Sequence, residues 1–438
     1  MSRTINSVAV LGAGTMGSGI AALCAQGGCN VLLLDMSKAF CDKAVERLQA
    51  GRSPALQDAA AAARISTGSF AEDMGRLADC DWICEAIIEN PVAKRDLFNK
   101  SEAARRDGSI ISTNTSGILL SELTEGMPER LRRDIAVTHF FNPVNIMRLL
   151  ELIPGEDTDP EVIETLAGFL RDNLGKGVVY AKDTINFIGN RVGCYAILAG
   201  LHKAKSALEA GLSMEQVDAL MSAPVGLPST GLYGLVDLIG LDVMDMVGKN
   251  MAANLPEGDA GHGIAALPPA EQGMLARGQL GRKTGAGFYR VTKQEDGSKL
   301  KEVYDLTTGQ WRTAARVELD EAHSSLGSLL FADDMQGRFA WDLMSAAICY
   351  SADLIPEISD DVVNVDRAMR WGFNWQRGPF ELLDALGPQA VAERLQAEGR
   401  PLPRMLVVLR EAGADTFYRN DGSEHLGLDG AWHKVPAE

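Results

Sequence analysis

A glycine-rich turn, Gly12-Ala13-Gly14-Thr15-Met16-Gly17, stands between an apolar β-rich run (Ile5 to Leu11) and a stretch of small and apolar residues at helical spacing (Thr15 to Gln26). This strand–turn–helix order with G-x-G-x-x-G spacing constrains the fold more than any other feature. The first glycine makes a tight turn and the second lets backbone approach a pyrophosphate. The third allows close helix–strand packing, with the helix N-terminus facing the anion. The next apolar run, Val31 to Leu34, closes at Asp35, at roughly the ~20-residue separation expected of a ribose-binding acid. A carboxylate there repels a 2′-phosphate, so the expected dinucleotide is NAD rather than NADP. Gly12, Gly14, Thr15, Met16, Gly17 and Asp35 are the first candidate cofactor residues.

Further short apolar runs alternate with helical stretches. Trp82 to Ile88, Ser109 to Ser112, Ile135 to Phe140, Arg148 to Leu152 and Val178 to Tyr180 read as strands; Lys38 to Gln49 and Ala93 to Arg106 read as helices. That alternation predicts an α/β domain, a mostly parallel sheet covered on both faces, ending near residue 186. At 438 residues the chain is too long for one ordinary core. Ile188 to Leu212 reads as one long helix, and the remainder is mainly helical with Gly/Pro turns. An internal repeat runs through this half. Gly234 to Gly240 (GLVDLIG) pairs with Phe380 to Gly387 (FELLDALG), and Gly287-Phe288-Tyr289-Arg290 pairs with Thr416-Phe417-Tyr418-Arg419. Two pairs in the same order predict a duplicated helical unit, with the junction near Arg312 to Ser325 and an exposed turn over Gln294 to Lys301.

The net charge of −17 argues against nucleic acid and anionic membrane as partners, while leaving room for a phosphorylated small molecule. No apolar run is long enough to span a membrane, and because the N-terminus reads straight into a strand no signal peptide is expected. Seven scattered cysteines read as reduced intracellular thiols, so a cytoplasmic location is expected. Cys80 and Cys84 share a segment, but no cluster completes a metal site.

The chemistry concentrates in Thr138-His139-Phe140-Phe141-Asn142-Pro143, followed by Glu151. A histidine can take a proton from an alcohol and return it. A lone histidine at a strand end is more often structural. Glu151, however, sits in the otherwise apolar run Leu149-Leu150-Glu151-Leu152-Ile153, where an unpaired carboxylate is costly, and His139 is its obvious partner. Three other segments are weaker. Glu89 and Lys94 could line the crevice at a strand end, although spacing alone favours a solvated helix start with Lys94 exposed. Thr113-Asn114-Thr115-Ser116-Gly117 reads first as a capping and turn cluster. Asn190, opening the long helix, could reach substrate at a domain junction, or simply follow a cap at Asp183 or Thr184.

With these residues in hand, the chain resembles the L-3-hydroxyacyl-CoA dehydrogenase family over nearly its whole length. The most specific motif is His139-Phe140-Phe141-Asn142-Pro143 with Glu151 at the family's spacing. The resemblance implies a Rossmann-type NAD-binding domain (1–186) followed by two repeated all-helical C-terminal domains (187–311 and 325–438). It implies His139 as general acid/base, Glu151 as its orienting carboxylate, and Ser116 and Asn190 near the substrate oxygen. Asp35, Glu89, Lys94, Ser116 and Asn142 fall on or beside positions that contact NAD. The implied substrate is an acyl-CoA thioester in fatty-acid β-oxidation, with Lys43, Arg47 and Arg52 as candidates for gripping CoA phosphates. Longer members suggest an enoyl-CoA hydratase domain or a thiolase as partner, and a monomer or a dimer. Gly117 replaces a second serine, Ile185-Asn186 the usual Pro-Gly, and Pro224 to Thr230 (PVGLPST) a Tyr-Pro-Met-Gly approach. Two alternatives stay open: a dehydrogenase of a free hydroxy acid or sugar acid, and a non-catalytic NAD-binding subunit.

Overall fold

The computed structural model describes residues 3–50, 54–56 and 58–438. The chain divides into two compact units: residues 1–187 with 357–359 and 437–438, and residues 188–356 with 360–436. The expected boundary between two helical domains at 311–325 falls inside the second unit.

The first unit is built on eight strands: β1 (Ser7–Leu11), β2 (Asn30–Asp35), β3 (Ile65–Ser69), β4 (Trp82–Glu85), β5 (Ile110–Thr113), β6 (Ile135–Phe140), β7 (Leu149–Pro154) and β8 (Gly177–Tyr180). They lie in the order β3-β2-β1-β4-β5-β6-β7-β8. Pairing is parallel from β3 through β6, antiparallel between β6 and β7, and parallel again between β7 and β8. β4, β5 and β6 are buried along their whole length, as expected for a sheet covered on both faces. The expected helices at Thr15–Gln26 and Lys38–Gln49 form with those bounds. The strand expected over Trp82 to Ile88 stops at Glu85, with Ala86 N donating the last bond of the ladder to Leu11 O (2.7 Å). β3 (ISTGS) and the helix Pro160–Asp172 were not anticipated.

The second unit is mainly helical, but not all-helical as expected. Tyr289–Lys293, Lys299–Asp305 and Gln310–Thr313 form a three-stranded antiparallel sheet, and Tyr418–Arg419, Glu424–Leu426 and Trp432–Lys434 form another. Val291 and Thr292 favour extended backbone. Gly297 at φ 82° lets the chain reverse, so the exposed turn shrinks to the residues between Lys293 and Lys299. The long helices Gly189–Glu209 and Met335–Asp353 meet with the rings of Tyr195 and Tyr350 stacked, centroids 3.8 Å apart.

The paired sequence segments have matching hydrogen bonds. Asp237 accepts from Phe288 N (2.7 Å) and Tyr289 N (2.8 Å); Asp384 accepts from Phe417 N (2.7 Å) and Tyr418 N (2.9 Å). Asp218 accepts from Tyr289 OH (2.8 Å) and Tyr233 N (2.7 Å); Asp366 accepts from Tyr418 OH (2.7 Å) and Phe380 N (2.8 Å). Gly287 is obligatory in this arrangement, since a Cβ there would lie 1.9 Å from Asp237 Oδ1. Among the described residues no helix is long and apolar enough to cross a membrane.

Candidate active site

Parallel β1, β4, β5 and β6 end at the same edge of the sheet, and antiparallel β7 begins there. Sequence order therefore delivers the glycine turn, residues 86–90, residues 114–117, His139 and Glu151 to one rim. Sheet order reverses around β1, between β2 and β4, which is where a crevice for a dinucleotide opens.

The glycine turn fits that ligand. Gly12 takes φ 112°, and a Cβ on it would meet Ala86 O at 2.5 Å. A Cβ on Gly17 would lie 1.9 Å from Gly12 O, so the helix packs against its own turn only as glycine. Gly14 differs: a Cβ there meets nothing within 4 Å. It caps the helix Thr15–Gln26, whose first-turn N–H groups have no partner within the helix. Thr15 is exposed and Met16 half-buried. An open glycine at a helix N-terminus is a cradle for a pyrophosphate. Asp35 Oδ2 accepts from Ala13 N (2.6 Å) and Oδ1 from Met36 N (2.6 Å). Both oxygens are fixed beside the turn, and each keeps a further lone pair for a ribose hydroxyl.

Lys94 is buried, contrary to the exposed position that spacing alone favoured. Its ammonium contacts Glu85 Oε1 (2.7 Å) and Oε2 (3.0 Å), and Glu89 Oε2 (3.3 Å). Thr113 Oγ1 donates to Glu85 Oε2 (2.5 Å) and Ile87 N to Oε1 (2.7 Å). Glu89 Oε1 accepts from Thr115 Oγ1 (2.6 Å), Ser116 N (2.8 Å) and Gly117 N (3.2 Å). Burial alone would raise the Glu89 carboxyl, but the Lys94 charge, the Thr115 hydroxyl and the Ser116 amide outweigh it and hold it below the usual carboxylate range. Residues 113–117 are thus more than a local turn: Glu89 anchors them, with Ser116 half-buried at the rim. Glu85 and Thr115 complete this cluster; neither stands out as a candidate from the sequence, where Glu85 falls inside the strand expected over Trp82 to Ile88 rather than at its end.

His139 and Glu151 are direct register partners across β6 and β7. His139 Nδ1 lies 2.6 Å from Glu151 Oε2, with His139 4% and Glu151 0% exposed. Against a carboxylate Nδ1 carries the proton, so Nε2 presents its lone pair. Nε2 has no hydrogen-bond partner among the described residues. The imidazole packs between Phe141 (centroids 4.5 Å) and Phe187 (5.6 Å). Asn114 Oδ1 accepts from Phe140 N (2.9 Å), which ties β6 to the segment bearing Ser116. Asn142 is exposed in the turn after β6.

Asn190 is the second residue of the helix Gly189–Glu209, half-buried and in the second unit. Asp183 does not cap that helix. Its carboxylate accepts from Leu120 N (2.7 Å) and Ser121 N (2.8 Å), capping the short helix Leu120–Thr124 instead. Lys43 and Arg47 are exposed on the helix Lys38–Gln49, and Arg52 lies outside the described residues. Cys80 and Cys84 are core residues.

A parallel sheet with a glycine-turn cradle, a fixed acid after β2 and a carboxylate-bound histidine at the same rim are the features of a dinucleotide-binding domain. Residues 7–184 match the family described as "3-hydroxyacyl-CoA dehydrogenase, NAD binding domain", and residues 187–291 its C-terminal domain. A probable 3-hydroxyacyl-CoA dehydrogenase of Deinococcus radiodurans is 38% identical over 298 residues, 66% of this chain and 84% of that protein. A putative fatty acid oxidation complex trifunctional enzyme of Rickettsia felis is 35% identical, covering 93% of this chain and 57% of its own length. In the solved structures, 3-hydroxybutyryl-CoA dehydrogenase of Escherichia coli superposes with a TM-score of 0.68 at 24% identity, over 91% of this chain and 96% of that one. The chain belongs to the 3-hydroxyacyl-CoA dehydrogenase family, with an NAD-binding first unit. It spans little more than half the length of those curated relatives that match nearly all of it.

Proposed function

We propose that this chain carries out the reversible NAD-dependent oxidation of an L-3-hydroxyacyl-CoA to the 3-oxoacyl-CoA, as a step of fatty-acid β-oxidation. The observation that carries the proposal is the register pairing of His139 with Glu151 at the rim that also bears the dinucleotide cradle. In the oxidative direction His139 Nε2 accepts the proton of the 3-hydroxyl. Glu151 holds the ring in the tautomer that leaves Nε2 available and stabilises the imidazolium formed. The dinucleotide held by Asp35 and the helix N-terminus would supply the hydride acceptor for C3. In the reductive direction His139 returns the proton from Nε2. Phe141 and Phe187 screen the pair from water, which strengthens the interaction of ring and carboxylate. Asp35 and the helix N-terminus hold the dinucleotide, the Glu85–Lys94–Glu89 cluster shapes the rim beside it, and Ser116 and Asn190 take the substrate-side roles that family resemblance gives them.

The matching Asp237–Tyr289 and Asp384–Tyr418 hydrogen bonds support reading the second half as a duplicated C-terminal domain, with domains at 1–186, 187–311 and 325–438. The trifunctional names among the relatives support a hydratase or thiolase as functional partner, and a cytoplasmic site of action suits this reading.

The test is NADH oxidation with acetoacetyl-CoA, with a longer 3-oxoacyl-CoA and with free acetoacetate. Turnover of the thioesters alone is expected. Turnover of the free acid alone would overturn the thioester assignment, and no turnover of any of them, with NADH still bound, would leave a non-catalytic NAD-binding protein.

A further inference from the structure

Lys176 is buried (6% exposed) with no carboxylate in salt-bridge reach among the described residues. An uncompensated ammonium in such a place is costly, so what it binds is informative. Its Nζ donates to Val144 O and to Met147 O (2.8 Å) and lies 5.8 Å from the Phe140 ring centroid. Both carbonyls belong to the turn between β6 and β7, the turn that joins His139 to Glu151 and carries Asn142. The lysine itself is anchored on both sides: its N–H donates to Leu170 O (3.0 Å), and Gly177 N donates to Arg148 O (2.8 Å). The turn also abuts the cofactor helix, because Val144 packs on Gly19 so closely that a Cβ there would meet Val144 Cγ2 at 3.0 Å.

We propose that Lys176 is a positioning residue for the reaction. By clamping the turn's carbonyls it fixes the β6–β7 register that pairs His139 with Glu151 and seats the turn against the helix that receives the dinucleotide. The proposal rests on the assignment of His139 as acid/base. The stakes of register are high, since a slip of one residue carries a side chain to the other face of the sheet. Burial pushes the ammonium down to about 8; the nearby Cys24 thiol is driven upward by burial, stays neutral and leaves that shift standing. The neutral amine keeps two N–H donors for two carbonyls, so the clamp persists through that titration.

The test compares Lys176→Met, which keeps bulk and loses the donors, with Lys176→Gln, which keeps N–H donors without charge. Three quantities are read: kcat and KM with acetoacetyl-CoA, and NADH affinity by fluorescence titration. Lys176→Met is expected to lower kcat by about tenfold or more, as a small displacement of reacting groups does. It should also weaken NADH binding and leave KM for the thioester nearly unchanged, while Lys176→Gln recovers most of the loss. Wild-type kcat and NADH affinity in Lys176→Met would overturn the proposal, as would a Lys176→Gln variant as impaired as Lys176→Met. If the wild type turns over no thioester, the functional reading fails separately, and unaltered NADH affinity in Lys176→Met still overturns the clamp.

Discussion

Lys94 Nζ lies 2.7 Å from Glu85 Oε1, with the two side chains 1% and 0% exposed. The pair joins the start of the helix Pro91–Ala104 to the end of β4, and so fixes the rim on which Glu89, Thr115 and Ser116 are assembled.

Removing one member of such a pair leaves the other charged and desolvated. Lys94→Met is expected to destabilise the protein by about 3–5 kcal/mol, measured by chemical denaturation. The double variant Glu85→Met, Lys94→Met should regain most of that loss. A single variant as stable as the wild type would mean that the pair does not hold the rim together.

The second unit should respond to pH in a defined direction. Burial pushes the Asp218 carboxyl up to about 7, against hydrogen bonds from Tyr289 OH, Tyr233 N and Gly234 N; Asp237 and Asp384 are pushed up to about 6. Between the ordinary value near 4 and these raised ones, the folded chain keeps protons that the unfolded chain has released. Stability from these groups therefore falls as pH rises through that window and is flat above about 7. Asp218→Asn should flatten the slope between about pH 4 and 7 in denaturation series at several pH values. Identical slopes for variant and wild type would contradict this.

Much of the first unit was legible because its signals are local. The helices Thr15–Gln26 and Lys38–Gln49 follow from spacing, and the glycine turn from the steric demands of Gly12 and Gly17. Glu151 stood out as a carboxylate among Leu and Ile, and its partner followed from elimination of cost. What escaped depended on sheet order or sparse apolar content. β3 offers only Ile65 as a large apolar residue. The burial of Lys94 is set by β4 lying beside β5, which brings Glu85 and Thr113 together. Asp183 looked like a cap for the helix after it and instead caps one far upstream in sequence. The small sheets of the second unit were hidden because Lys299–Asp305 is rich in charge and mostly only half-buried.

The proposed reaction requires His139 to move the proton under the control of Glu151. The most direct measurement is steady-state kinetics of His139→Gln with acetoacetyl-CoA and NADH, alongside the wild type. A fall in kcat of about 10²–10⁴-fold is expected with KM little changed, the signature of an interaction made in the transition state. A variant that retains most of the wild-type kcat would contradict it and remove His139 from the mechanism.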